Sequence, residues 1–167
     1  MTRSGVYRLP IYHDRRLSED AAVELLRTFE RMVPAVAEGR VEVVRAVRAP
    51  GRRGKVAVRG TRSNVNAVAA AVGEGGGQIR LLEERLGGEP VDVVPYSDDI
   101  ERYVLAALRP GYGGRVSVLA PGEVEVQPLP RDVGAVIGRE GLNVALASAL
   151  CKVRIRVVRE GADAAIR

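Results

Sequence analysis

Apolar residues follow two spacings along this chain, and the two spacings alternate in a regular order. Apolar residues recur every three or four positions, as on one face of a helix, in six segments: 18–36, 65–72, 79–86, 97–108, 132–137 and 144–150. They alternate with polar residues, as in a half-buried strand, in six others: 40–43, 55–59, 91–94, 115–119, 123–126 and 153–157. This mixture of helical and strand segments predicts an α+β fold.

The order of these segments repeats, so the chain contains two similar halves. Each half reads helix, strand, strand, helix, glycine loop, helix, strand. The best-matching stretches are Ala71–Gly76 and Val136–Gly141, whose glycines lie 65 residues apart. A joint as short as Pro95-Tyr96 between the halves favours a fixed relative orientation. We expect an N-terminal arm, two domains and a C-terminal tail, with boundaries at 1–17, 18–95, 96–160 and 161–167.

The composition narrows the chemistry that this fold can carry. Hydrophobic residues make up 46% of the 167 residues, but aromatic residues only 4%, so the core must be aliphatic. One histidine (His13) and one cysteine (Cys151) offer neither an intrachain disulfide nor a Cys-cluster or two-His metal site. Without a nucleophile–base pair, we expect no enzyme activity, no cofactor and no small-molecule substrate. Without a signal peptide or an apolar stretch near ~20 residues, we expect a cytoplasmic protein that has no membrane partner.

The net charge of +5 is concentrated in one part of the chain. Residues 40–62 hold eight basic residues and one acidic residue, whereas residues 63–101 hold two basic and eight acidic residues. Lys55 and Arg59 fall on one face of the second predicted strand. A basic hairpin of this kind is typical of a nucleic-acid-binding surface, which makes both side chains candidates for contact. The alternative is an edge hairpin whose charges only prevent aggregation.

Each half has a loop between two predicted helices in which glycines lie three positions apart. The loops are Gly73-Glu74-Gly75-Gly76 and Gly138-Arg139-Glu140-Gly141. Because glycine has no Cβ and allows a positive φ, a phosphate backbone can approach such a loop closely. The following helix begins at the loop and turns its free N–H groups toward that backbone. Loops of this type clamp about four nucleotides in KH domains, beside a groove for unstacked bases.

These stretches resemble the tandem KH region of the NusA family of transcription elongation and termination factors. The resemblance covers residues 18–158 and rests on residues 64–76, 87–94 and 132–143 together with the first hairpin. It implies two type II KH domains, each a three-stranded sheet packed with helices in the order α-β-β-α-α-β. It implies single-stranded RNA as the ligand and RNA polymerase as a partner in termination or antitermination. In length, the chain is closer to the short archaeal members.

The resemblance and the basic hairpin together assign RNA binding to a small set of residues. The candidates are Gly73, Glu74, Gly75, Gly76, Gly138, Arg139, Glu140, Gly141, Asn143, Lys55 and Arg59. The second loop follows the family pattern, with Arg139 in the loop and Asn143 at a polar position beyond it. Asn143 could instead satisfy N–H groups at the start of its helix. In the first loop, the negative charge of Glu74 should repel a phosphate, so the second loop is the better candidate.

Two other functions stay open at the level of the sequence. The KH folds could serve as a scaffold for protein interaction, with the acidic segment 63–101 docking a basic partner. They could also serve in ribosome assembly or bind structured RNA, because one fold is reused for many functions. The first alternative predicts loss of RNA binding with retained protein partners, and the second predicts a preference for folded RNA.

Overall fold

The computed structural model describes residues 14–109 and 114–159, which form two three-stranded sheets with helices packed on them. The helices are α1 (Glu19–Met32), α2 (Pro34–Ala37), α3 (Ala67–Val72), α4 (Gly77–Arg85), α5 (Ile100–Leu108), α6 (Val133–Ile137) and α7 (Leu142–Cys151). The strands are β1 (Val41–Ala49), β2 (Arg53–Gly60), β3 (Val91–Pro95), β4 (Gly114–Ala120), β5 (Glu123–Pro128) and β6 (Arg154–Val157). The predicted α+β class is confirmed. The predicted tail and the arm up to residue 13 lie outside the described residues.

The two sheets have the same topology. β1 pairs antiparallel with β2, and β2 pairs parallel with β3. β4, β5 and β6 repeat this arrangement, so the second strand of each hairpin is the central strand of its sheet. The parallel third strand requires a crossover, which α3 and α4 provide in the first half and α6 and α7 provide in the second. Each glycine loop therefore lies within the crossover of its sheet.

Two helices begin later than the apolar spacing predicts. The side chain of Asn66 caps α3, so this helix begins at Ala67 instead of residue 65. The side chain of Asp99 caps α5, so this helix begins at Ile100 instead of residue 97. Several neighbouring Ser, Asn and Asp residues precede each helix, and these types are nearly equivalent as caps. The sequence pattern therefore locates the helix but not its first residue.

The first sheet is covered on both faces. On one face, α1, α3 and α4 enclose a core that includes Phe29, Val56 and Leu82. On the other face, α5 and α7 of the second half pack against the sheet, and Ala57 joins Leu146 in a second core. Because side chains alternate along a strand, consecutive residues of β2 belong to different cores. The two halves therefore share a hydrophobic core.

No single helix within residues 14–109 and 114–159 has the length and apolar character needed to cross a membrane. The stretches Pro130–Ile137 and Arg139–Cys151 meet that test only when taken together, and they are bent by 49° where they meet. The bend falls at the second glycine loop. Most residues of α7 are buried, and this helix packs against β1, β2 and β6.

Candidate nucleic-acid interface

The two glycine loops have nearly the same backbone conformation. Gly73 and Gly138 both have φ 77° and ψ 170°. Each loop closes through a short 3-10 turn, in which the N–H of the last glycine donates to the carbonyl of the first at 3.1 Å. The last glycines, Gly76 and Gly141, have φ values of 75° and 71°. α4 and α7 start directly after these glycines, so each loop is followed by the first turn of a helix in the same orientation relative to the loop backbone.

The first glycine of each loop is required because another side chain packs directly on it. A Cβ at Gly73 would lie 2.7 Å from the Cβ of Gln78, and a Cβ at Gly138 would lie 2.7 Å from the Cβ of Asn143. The two amides also close the preceding helix. Gln78 Nε2 donates to the carbonyl of Ala71, and Asn143 Nδ2 donates to the carbonyl of Val136, both at 2.9 Å. Each loop is thus held shut by an amide at the same position.

The Asn143 side chain has a structural role, and the residue also lines a cavity beside the second loop, so its RNA contact stays a prediction. Its side chain is buried, and the residue is only 7% exposed. Besides Val136, the amide donates to the carbonyls of Leu108 at 2.8 Å and Ala135 at 3.3 Å. It therefore binds carbonyls at the ends of α5 and α6, not the N–H groups at the start of its own helix.

At the third position of the loops the residue type differs, but the backbone conformation is nearly the same. Gly75 has φ 60° and its counterpart Glu140 has φ 56°. Among residues 14–109 and 114–159, only Glu140 and Lys152 adopt a left-handed φ without being glycine. Arg52 Nη1 donates to Glu140 Oε2 at 2.9 Å, and this hydrogen bond lowers the pKa of the Glu140 carboxyl. Arg16 Nη1 donates to the Glu140 carbonyl at 2.7 Å.

The turn between β1 and β2 carries Arg52 and is held by a buried ion pair. Glu89, which is 4% exposed, accepts hydrogen bonds from Arg48 Nε at 2.7 Å and from the Gly51 N–H at 2.6 Å. The Arg52 N–H donates to the carbonyl of Ala49 at 3.0 Å, which closes the turn. The hairpin turn of the first half is therefore fixed against the second loop.

Lys55 is fully buried, which corrects its prediction as an RNA contact. Its Nζ lies 2.8 Å from Asp92 Oδ2, and Arg53 Nη1 lies 2.6 Å from Asp92 Oδ1. Burial lowers the pKa of Lys55, although the Asp92 carboxylate opposes this shift. Lys55 and Ala57 point to the same side of β2, the side that the second half covers. The predicted basic strand face is therefore an interior face at Lys55.

Arg59 stays exposed, but it lies at the other end of β2. Its Nη2 donates to Glu42 Oε2 at 2.9 Å, and its guanidinium lies 5.2 Å from the ring centroid of Tyr96. A strand rises ~3.3 Å per residue, so Arg59 is roughly 20 Å along β2 from Arg53. Since Arg53 adjoins the turn that contacts the second loop, Arg59 and that loop belong to different parts of the surface.

Two cavities adjoin the second loop, and Gly134 and Gly138 line both. One of about 500 Å³ lies between the loop and the β1–β2 turn, and its walls include the four arginines Arg52, Arg53, Arg109 and Arg139. The other, of about 470 Å³, is bordered by Pro130, Val133, Gly134, Ile137, Gly138 and Arg159. The first cavity suits phosphate groups by its charge. The second combines an aliphatic wall with one cation, which suits an unstacked base.

Sequence reasoning missed Arg52 and Arg16 at the second loop and Arg80 at the first. A Cβ on Gly76 would lie 3.9 Å from Arg80 Nη1, so this guanidinium is beside the first loop. The signal for Arg80 is local, because a residue four positions beyond a loop lies one helical turn away. No comparable signal exists for Arg16, which is 124 residues from its partner.

Residues 20–96 match the family model described as the NusA-like first KH domain. The transcription termination/antitermination protein NusA of Mycobacterium tuberculosis is 35% identical over 133 residues, which are 78% of this chain and 38% of that protein. The NusA protein of Thermus thermophilus is 36% identical over 119 residues, 71% of this chain and 31% of that protein. The chain belongs to a NusA-like family. The resemblance seen in the sequence is thus confirmed.

Two further relatives of this NusA-like chain extend the comparison. The NusA protein of Rickettsia conorii is 31% identical over 140 residues, 81% of this chain and 28% of that protein. The crystal structure of APE1850 superposes with a TM-score of 0.58 at 26% identity, over 84% of this chain and 100% of that one. The NusA-like chain spans between 28% and 38% of the length of these NusA proteins.

Proposed function

We propose that this chain binds single-stranded RNA through two type II KH domains, residues 18–95 and 96–160, and acts in transcription termination or antitermination together with RNA polymerase. The observation that carries the proposal is the repeated loop. Gly73 and Gly138 share one backbone conformation, in the crossovers of two sheets of the same topology. The names of the relatives supply the transcriptional role.

The second loop is the main phosphate site in this proposal. α7 has ten residues, so its free N–H groups and the partial positive charge of its first turn favour an anion at the loop. Arg139 is exposed in the loop and adds a full positive charge. The neighbouring aliphatic cavity at Val133 and Ile137 would take a base. Phosphate and base then bind on adjacent sides of α6.

The first loop has the same backbone conformation as the second but a different charge. Glu74 is exposed at the position of Arg139, and its charge opposes a phosphate. Arg80 lies beside Gly76 and supplies a positive charge from the following helix. We therefore assign the first loop a weaker phosphate contact than the second.

The acidic segment 63–101 is less suited to docking a basic partner than the number of its acidic residues indicates. Asp92 is paired with Lys55 and Arg53, and Glu89 is 4% exposed and bound to Arg48. The segment therefore does not present all its carboxylates to a partner. The structure favours RNA binding over docking of a basic protein on this segment.

Fluorescence anisotropy with a short single-stranded RNA, the matched DNA and a duplex RNA tests the proposal. We expect preference for the single-stranded RNA and affinity that falls as salt rises, because phosphate contacts release counterions. The variant R139Q should bind about three- to tenfold more weakly, because the loop loses the cation that attracts the phosphate.

The matched control for this experiment is R40Q, which removes a cation that is paired with exposed Glu38. R40Q should bind almost as the wild type does. Equal binding by R139Q and R40Q would rule out Arg139 of the second loop as a phosphate contact. A preference for duplex or folded RNA would instead support a structured-RNA role.

A further inference from the structure

The second loop contains a glutamate where the first loop has a glycine. Glu140 has φ 56° and ψ 26°, and Gly75 has φ 60° and ψ 17°. A left-handed conformation is unfavourable for a residue with a Cβ, whereas glycine adopts it readily. The second loop therefore needs an outside contact to hold a conformation that the first loop adopts without strain.

Arg52 of the first half and Arg16 of the preceding arm supply that contact. Arg52 binds the Glu140 carboxylate at 2.9 Å, and Arg16 binds the Glu140 carbonyl at 2.7 Å. The N–H of Gly141, on the opposite side of the same peptide group, donates to the Gly138 carbonyl at 3.1 Å. The peptide between Glu140 and Gly141 is therefore fixed from both sides. Within residues 14–109 and 114–159, no side chain donates a hydrogen bond to Gly75.

Both arginines are themselves held in place. Arg16 Nε and Nη2 donate to the two carboxylate oxygens of Asp14 at 2.9 and 2.6 Å. Arg52 lies in the turn whose Gly51 N–H is bound by the buried carboxylate of Glu89. The arm and the first half thus each present one oriented donor to Glu140 of the second loop.

We propose that Arg52 and Arg16 are positioning residues for the second loop, and that they act on RNA binding through Glu140 and not by contact with RNA. This inference rests on the proposed function of the second loop. Its consequence is that the arm and the first half together determine how well the loop of the second half binds phosphate. Without the arginines, Glu140 leaves its left-handed conformation and the loop N–H groups lose their common orientation.

A direct contact between Arg52 and a phosphate is the competing explanation, because Arg52 also lines the cavity beside the loop. The two explanations predict different effects of removing Arg52 on RNA affinity when residue 140 is glycine. The E140G variant gives the second loop the residue that the first loop has at this position. It needs no outside contact, and it carries no charge for Arg52 to neutralise.

The deciding experiment measures RNA affinity by anisotropy for R52Q in the wild-type chain and in E140G. We expect R52Q to weaken binding about three- to tenfold in the wild-type chain and less than about twofold in E140G. R40Q provides the correction for the loss of one cation. An equal loss in both backgrounds, or no loss in either, would overturn the proposal.

A second measurement does not depend on RNA. Amide hydrogen exchange in residues 138–142 should be faster in R52Q and in R16Q than in the wild type, with residues 73–77 unchanged as the internal control. Unchanged exchange in the second loop would contradict the positioning role. If the wild type bound no RNA, the proposed function would fail, while this exchange result would still decide whether the arginines hold the loop.

Discussion

Asp92 is the residue on which the buried charges of the first half depend. Its carboxylate lies between Lys55, which is fully buried, and Arg53. Burial alone would raise the pKa of Asp92, but the two ion pairs outweigh burial and hold this pKa below its ordinary value of 3.8. Removing the carboxylate would leave the Lys55 ammonium buried without a counter-charge.

We expect Asp92→Asn to lower the free energy of unfolding by about 3 kcal/mol at neutral pH, because removing one partner of a buried ion pair leaves the other charge buried and uncompensated. Urea denaturation measures this loss. The control is Glu38→Gln, which breaks an exposed pair with Arg40 and should cost less than about 1 kcal/mol. Similar losses in the two variants would contradict the role of burial.

The same carboxylate gives a pH dependence of defined sign. Because the folded-state pKa of Asp92 is lowered, its contribution to stability is complete above the unfolded-state pKa and disappears as the pH falls through the folded-state pKa. The difference in unfolding free energy between wild type and Asp92→Asn should therefore shrink in the acid range below pH 3.8. A difference that stays constant through that range would refute the assignment.

At the scale of elements, the join between the two crossover helices depends on the first glycine of each loop. A Cβ at Gly138 would meet the Cβ of Asn143 at 2.7 Å, and the φ of 77° is itself unfavourable for other residues. Gly87 follows the end of α4 with a φ of 75°, but a Cβ at this position would meet no atom of a non-adjacent described residue within 4 Å. Substitutions at Gly87 and Gly138 can therefore be compared: the first tests backbone strain alone, and the second tests strain together with a steric clash.

Gly138→Ala should destabilise the chain by roughly 3 kcal/mol or more, whereas Gly87→Ala should cost about 1 kcal/mol, the penalty of the backbone conformation alone. Urea denaturation of both variants under identical conditions gives the comparison. If the losses were equal, packing of Asn143 on the loop would not explain the need for glycine at 138.

At the scale of the whole molecule, the shared core predicts that the two halves unfold together. Leu146 of α7 is fully buried in the core that also contains Ala57 of the first sheet. We expect Leu146→Ala to lower the unfolding free energy by about 2–5 kcal/mol, through lost burial and the cavity left behind.

Native-state hydrogen exchange of β2 and β5 measures whether this loss reaches both sheets. The slowest-exchanging amides of the two strands should lose protection by the same amount in Leu146→Ala. As the reciprocal variant, Leu82→Ala alters the core on the far face of the first sheet and should act on both strands as well. Protection of β2 that is unaffected by Leu146→Ala would show two independent folding units.

Local patterns were enough to predict the order of the helices and strands, because hydrophobic spacing depends only on the period of each element. The positions of the glycine loops could also be predicted from the sequence, since the positive φ values at Gly73 and Gly138 are a local requirement. The NusA-like family followed from the same stretches. What the pattern left uncertain was the first residue of α3 and α5, where neighbouring caps are nearly equivalent.

Tertiary structure alone decided which polar side chains are available for binding. Lys55 is buried because the second half packs on the first sheet. Asn143 is mostly buried because its own side-chain amide closes the second loop. The partners of Glu140 come from 88 and 124 residues away. Alternation along a strand tells which residues share a face, but only the packing of the halves determines which face meets solvent.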